Sequence, residues 1–138
     1  MTALLALTMG DPCGIGPEII ARAVASGAAP GAVVLGDVAV MRRAVAQCGL
    51  LLPVARLDDP VDALQLPPGC LGVWAPPGLS AADPAPLVSL PMGQISARAG
   101  AAAACCIEAA AHLALAGRVA AIVTAPVHKE ALSAAGVH

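Results

Sequence analysis

Apolar and polar residues alternate in blocks along this chain, and the blocks predict strands that are separated by helices. Short apolar runs of strand length occur at 3–8, 32–35, 50–54, 70–75 and 119–124. Helical spacing or composition follows at 17–26, 37–49, 94–117 and 127–135. Strands that alternate with helices favour parallel pairing with helices on both faces. We therefore predict an α/β fold of three layers, α/β/α, around a mostly parallel sheet.

One stretch, 76–92, fits neither pattern. Its five prolines, at 76, 77, 84, 86 and 91, exclude a regular helix or a central strand. We expect a connecting loop or an edge ribbon here. The next segment, 94–117, is rich in alanine and glycine and predicts the longest helix. Its small side chains allow another element to approach closely.

The loop after the first strand, 9–18, holds most of the unusual chemistry. Three glycines, two prolines and two carboxylates lie between the strand and the helix. Pro17 and Glu18 suit the first turn of a helix. In parallel sheets, ligands bind beyond the carboxyl ends of the strands. Asp11, Gly14 and Gly16 are therefore candidate cleft residues.

Two interpretations of this loop remain open from the residues alone. It could be a sharp turn that needs glycine only to bend. It could also bind an anion through the N–H groups of the helix start, although Asp11 would repel a phosphate. The spacing of Gly10, Gly14 and Gly16 matches neither the Walker A loop nor the G-x-G-x-x-G dinucleotide fingerprint.

The turn after the last strand, 124–129, should lie at the same edge of the sheet. Thr124, His128 and Lys129 are its polar candidates. Lys129, the only lysine, could pair with a phosphate or carboxylate, and His128 could carry a proton. The alternative is that both are solvated turn residues.

Three further groups of polar residues have a structural explanation that we prefer. Glu108 and His112 are spaced i, i+4 and so share a helix face, which is more often a surface pair than a metal or acid–base site. The aspartates within 58–66 lack regular ligand spacing and predict a solvated loop. Arg42 and Arg43 are expected on the solvent side of the second helix.

Composition excludes several classes of protein. The net charge is −2 with no basic cluster, so we expect no nucleic-acid partner. The five cysteines form no C-x-x-C pair, which favours free thiols in a reduced cytoplasm. We expect no signal peptide, because the N-terminus has no basic n-region and no cleavage-site pattern. We expect no membrane partner, because Glu108 and His112 interrupt the apolar helix at 99–117.

Four motifs resemble the 4-hydroxythreonine-4-phosphate dehydrogenases of vitamin B6 synthesis. The first and last are the most specific, and Cys13 stands where that family more often has alanine. The motifs are Thr8-Met9-Gly10-Asp11-Pro12 with Gly14-Ile15-Gly16-Pro17-Glu18, Val33-Val34-Leu35-Gly36-Asp37, Gly93-Gln94-Ile95-Ser96-Ala97, and Ala121-Ile122-Val123-Thr124-Ala125-Pro126-Val127-His128-Lys129.

The resemblance implies a fold, an activity and cofactors. The fold would be similar to that of the isocitrate and isopropylmalate dehydrogenases, with two α/β domains, in a cytoplasmic homodimer. The enzyme would use NAD or NADP to oxidise 4-phosphooxy-threonine, a small phosphorylated hydroxy-amino acid, and carbon dioxide would then be lost. A divalent metal (zinc, magnesium or cobalt) would assist both steps.

The resemblance also implies that residues 1–138 are the N-terminal part of such an enzyme. The family's Gly-His-Thr-Glu motif and its metal-binding histidines would come later, and His138 does not match that motif. We transfer no catalytic residue and no metal ligand to this chain. The isolated chain is expected to be inactive and poorly soluble. The alternatives are a threonate or erythronate phosphate dehydrogenase, a non-catalytic anion-binding module and, with least support, a structural protein.

Overall fold

Five parallel strands form the sheet in the computed structural model, which describes residues 3–79 and 86–137. Their order across the sheet is β3-β4-β2-β1-β5, so β1 is flanked by β2 and β5. The predicted parallel α/β fold is confirmed. The strands are β1 Leu5–Thr8, β2 Ala32–Leu35, β3 Val54–Arg56, β4 Leu71–Trp74 and β5 Ala121–Thr124.

Helices cover both faces, as predicted. The connection from β1 to β2 runs across the sheet in the opposite direction to that from β4 to β5. Because parallel crossovers are right-handed, the two connecting helices lie on opposite faces. The four helices are α1 Gly16–Ala25, α2 Val38–Gln47, α3 Ala97–Leu115 and α4 Lys129–Ala134, with short 3₁₀ helices at Pro60–Gln65 and Leu87–Ser89. Helix α1 packs with α2, and α3 packs with α4.

Local capping explains where the elements begin and end. The Asp37 side chain accepts a hydrogen bond of 2.9 Å from the Val40 N–H and so starts α2, as the sequence indicates. The expected strand at 50–54 is wrong in its bounds. The Leu50 N–H donates to the Val45 carbonyl and closes α2, so the strand begins four residues later.

Two expected loops contain short 3₁₀ helices. Asp59 caps the first through the Val61 N–H at 3.0 Å, so this segment is more ordered than a solvated loop. The second lies in the proline-rich stretch. Within 76–79 and 86–92 that stretch forms no strand, which confirms a connecting loop there; its remaining residues, and His138, lie outside the described residues.

Small residues let α3 pack closely against its neighbours. A side chain at Gly100 would collide with the backbone of Ala131 in α4. This helix is long and apolar enough to cross a membrane by length and composition. It contacts β1, β2, β5 and α4. Eight of its residues are buried, as expected of a core helix: Ala99, Gly100, Ala102, Ala103, Ala104, Cys106, Ala110 and Leu113.

Strand β5 is the open edge of the sheet. All four of its residues are exposed, including Ile122 at 37% and Val123 at 53%. By contrast, Val33 and Leu35 of the central strand β2 are fully buried. An apolar edge strand without cover is unusual in a stable monomer and favours pairing with further chain. Strand β5 therefore presents an apolar edge that can pair with further strands, which agrees with the expectation that this chain is part of a larger enzyme.

Candidate binding loops at the carboxyl edge of the sheet

The two predicted loops meet at the carboxyl edge of the sheet. Thr8 and Thr124, the last residues of β1 and β5, lie side by side in register. The Ala125 N–H then donates to the Thr8 carbonyl at 3.1 Å. The Asp11 N–H donates to the Pro126 carbonyl at 3.3 Å. We call residues 9–18 the glycine loop and residues 124–129 the lysine turn; together they form one structural unit.

Two glycines make this contact possible. Gly10 has a φ of +72°, and a Cβ on it would collide with the Pro126 carbonyl oxygen. A Cβ on Gly16 would collide with the Met9 carbonyl and lie 3.1 Å from the Ala125 side chain. At Gly14 the nearest atom would be 3.5 Å away, an ordinary contact. The close approach therefore requires Gly10 and Gly16, whereas Gly14 leaves room for a side chain.

Asp11 folds back into the glycine loop. It is only 5% exposed, and its Oδ1 accepts a hydrogen bond of 2.8 Å from the Cys13 N–H. Its carbonyl accepts a second, of 3.0 Å, from the Gly14 N–H. Such side-chain bonds to a nearby backbone N–H fix a turn. One carboxylate oxygen therefore shapes the loop, and little of the Asp11 side chain is accessible to a ligand.

The polar residues of the lysine turn face solvent. Thr124 is exposed at the end of β5, and Lys129 is exposed as the first residue of α4. His128 precedes this helix, and its Nδ1 lies 2.8 Å from Glu130 Oε2. Both side chains of that pair are largely exposed, so it contributes little to stability. Lys129 has no hydrogen-bond or ion-pair partner among the described residues and can reach a ligand.

A buried hydroxyl lies at the base of the loops. The Thr8 side chain is fully buried, and its Oγ1 has no hydrogen-bond partner among the described residues. An unpaired buried hydroxyl costs stability. The sequence motif includes Thr8, but nothing in the apolar run around it signals that its hydroxyl lacks a partner.

Arg43 is the residue that our sequence interpretation placed wrongly. It does not lie on the solvent side of α2 with Arg42. Its guanidinium donates to the carbonyls of Pro12 and Val88, both at 2.8 Å. The available signal was its position three residues after Val40, which is fully buried, because such residues share a helix face.

Glu108 and His112 lie elsewhere. Both are exposed, and both line a cavity of about 450 Å³ with Trp74, Cys105 and Arg118. A cavity of about 570 Å³ opens beside Pro67 and Pro68. Neither cavity is lined by a residue of the glycine loop or the lysine turn. The structure thus separates this pair from the two loops.

The carboxylates within 58–66 do not form a cation site. Asp59 Oδ1 lies 2.7 Å from the Arg118 guanidinium and also caps the 3₁₀ helix. Across residues 3–79 and 86–137, no group of three or more His, Cys, Asp or Glu side chains could hold a metal.

Comparison with known proteins identifies the family. Residues 28–138 match the family described as "Pyridoxal phosphate biosynthetic protein PdxA". D-threonate 4-phosphate dehydrogenase of Pectobacterium atrosepticum is 44% identical over 99% of this chain and 40% of its own length. The 4-hydroxythreonine-4-phosphate dehydrogenase of Beijerinckia indica is 42% identical over 97% of this chain and 38% of its length.

A solved structure agrees with these matches. The crystal structure of 4-hydroxythreonine-4-phosphate dehydrogenase from Klebsiella pneumoniae superimposes with a TM-score of 0.84 at 39% identity. It covers 98% of this chain, whereas this chain covers 40% of that one. This chain therefore spans about two fifths of the length of the relatives that it matches. The family match and the shared fold lead to one conclusion: the chain belongs to the PdxA family of pyridoxal phosphate biosynthetic proteins.

Proposed function

We propose that this chain is the N-terminal part of a two-domain, NAD-dependent dehydrogenase of pyridoxal phosphate biosynthesis. The substrate would be 4-phosphooxy-L-threonine, whose secondary alcohol is oxidised before carbon dioxide is lost. The observation that carries the proposal is the contact between the glycine loop and the lysine turn, because these are the two most specific family motifs. Parallel sheets of this kind bind ligands at that edge.

Within this chain, the lysine turn would recognise the charged part of the substrate. Lys129 is exposed, unpaired among the described residues, and suited as a point charge to a phosphate or carboxylate. The start of α1, with its positive dipole end, faces the same edge. Thr124 and His128 would add hydrogen bonds or proton transfer. In this proposal Gly10 and Gly16 allow the two loops to approach closely, and Asp11 shapes the glycine loop.

The family implies a nicotinamide cofactor and a metal ion, which would supply hydride acceptance and Lewis-acid chemistry. The described residues offer no metal site, and the glycine spacing does not match a dinucleotide fingerprint. We therefore assign neither group to residues of this chain and derive no step through them. NAD or NADP as the hydride acceptor, a divalent metal, a homodimer and a cytoplasmic location are further parts of the proposal.

A second substrate, D-threonate 4-phosphate, is favoured by a specific observation. The Pectobacterium relative at 44% identity is named for it, as is a Salmonella typhimurium relative at 41%. Relatives named for 4-hydroxythreonine-4-phosphate match at 42% and 39%. Both substrates carry a phosphate, so a cationic lysine turn suits either one.

Two chimaeras test the proposal. This chain is joined to the unmatched part of the Pectobacterium relative and, separately, to that of the Beijerinckia relative. We expect both chimaeras to reduce NAD, each preferring the substrate of its C-terminal parent, because the deciding residues lie outside this chain. The isolated chain should show no reduction.

The other outcomes separate the alternatives. If both chimaeras prefer the same substrate, this chain sets the specificity and identifies its own substrate. Folded chimaeras that bind inorganic phosphate but turn over neither substrate would contradict the proposal and favour the non-catalytic module.

A further inference from the structure

One arginine joins the glycine loop to the segment before α3. Arg43 Nη2 donates to the Pro12 carbonyl, and Nη1 donates to the Val88 carbonyl, both at 2.8 Å. The three residues are far apart in sequence: Pro12 precedes α2, Arg43 lies within it, and Val88 follows β4. A single guanidinium thus connects three separate parts of the fold.

A second bond connects the same two segments. The Gly93 N–H donates to the Cys13 carbonyl at 2.8 Å. Consecutive carbonyls of the glycine loop, those of Pro12 and Cys13, therefore both accept hydrogen bonds from outside the loop. Bonds from a charged donor are stronger than neutral ones, and the planar guanidinium can serve two acceptors at once. A lysine at this position could not reproduce both bonds.

We propose that Arg43 is a positioning residue, which holds the glycine loop against residues 86–93 and so keeps the loop in the shape that meets the lysine turn. The inference rests on the proposed function, since that function gives the loop a ligand. The structural claim itself can be tested without any ligand.

The Cys13 thiol provides the readout. Its side chain is only 2% exposed, and burial raises its pKa, as does the nearby charge of Asp11. The positive charge of Arg43 acts in the opposite direction and lowers this pKa. Loss of the charge alone would therefore make the thiol less reactive near neutral pH. Release of the loop would expose the thiol and make it more reactive, so the two effects differ in sign.

The experiment measures iodoacetamide labelling of each cysteine by peptide mass spectrometry in a folded chimaera that contains this chain and in its R43M variant. We expect Cys13 to label at least tenfold faster in R43M. The matched control is R42M, because Arg42 is exposed and its one hydrogen bond within residues 3–79 and 86–137 is a 3.5 Å contact with the Val54 carbonyl. Labelling of Cys13 in R42M should stay within twofold of the unchanged chain.

Cys106 separates release of the loop from general unfolding. It is fully buried within α3 and should stay protected in both variants. R43K, which can keep one of the two bonds, should give an intermediate rate at Cys13. Unchanged or slower labelling of Cys13 in R43M would overturn the proposal. An equal increase in the labelling rates of Cys13 and Cys106 in both R43M and R43K would indicate general unfolding and would also overturn the proposal. If the chimaeras lack activity but Cys13 behaves as expected, only the proposed function fails.

Discussion

Replacement of Gly10 by alanine is expected to lower the free energy of unfolding by about 3 kcal/mol. Two costs add. A φ of +72° is unfavourable for any residue with a Cβ, by about 1 kcal/mol. The new methyl group would also collide with the rigid carbonyl of Pro126, and overpacking of this kind costs roughly 1–3 kcal/mol. Thermal or urea unfolding measures the sum.

Gly49→Ala is the matched control. Gly49 has a φ of +66°, but no non-adjacent atom of the described residues lies within 4 Å of the position where its Cβ would be. This variant therefore carries only the backbone cost, about 1 kcal/mol. The difference between the two variants in the free energy of unfolding measures the contribution of the contact between the glycine loop and the lysine turn. Equal losses in the two variants would mean that the loops do not approach as closely as the structure indicates.

Replacement of Gly100 by alanine should also destabilise the protein, by about 2 kcal/mol, although intrinsic helix propensity predicts the opposite sign. Alanine is favoured over glycine inside a helix by about 1 kcal/mol. At Gly100, however, the added Cβ would collide with the Ala131 carbonyl and lie 2.9 Å from the Leu132 backbone nitrogen. Because these are backbone atoms, α3 and α4 would have to move apart.

The control for this variant is Ala101→Val. Ala101 is exposed on α3, so Ala101→Val adds more volume than Gly100→Ala but adds it at an exposed position. It should cost less than about 1 kcal/mol, through helix propensity alone. Urea unfolding of the two variants gives the comparison. A stabilised Gly100→Ala variant would show that the two helices are not in close contact. That result would leave the placement of Lys129, at the start of α4, without support.

The pattern of apolar runs was sufficient to predict the sheet and its helices, because both depend on periodic burial. It also predicted that the loops after β1 and β5 lie at one edge of the sheet, because the carboxyl ends of parallel strands do so. Asp37 was identified as a helix cap, since capping depends on residues only three apart. These features follow from local sequence and from the general rules of parallel sheets.

The placements that the sequence did not reveal depend on contacts between distant residues. The sequence predicts Arg43 on the surface, because Pro12 and Val88, which accept its hydrogen bonds, are distant in the chain. The Leu50 N–H closes the end of α2, so β3 begins later than the apolar run. The pattern of apolar residues does not show this hydrogen bond. The sequence predicts Asp11 as a candidate cleft residue but does not reveal that its carboxylate accepts a hydrogen bond from the Cys13 N–H.

The central claim is that the lysine turn forms part of the substrate site, and the KM of an active chimaera tests it most directly. Lys129→Met is compared with Arg118→Met, which removes an equal charge from an exposed pair outside both loops. We predict that Lys129→Met raises the KM for the phosphorylated substrate about tenfold, equivalent to about 1.4 kcal/mol, and leaves the melting temperature unchanged. Arg118→Met should leave the KM unchanged. A KM for Lys129→Met within twofold of the parent chimaera would contradict the account.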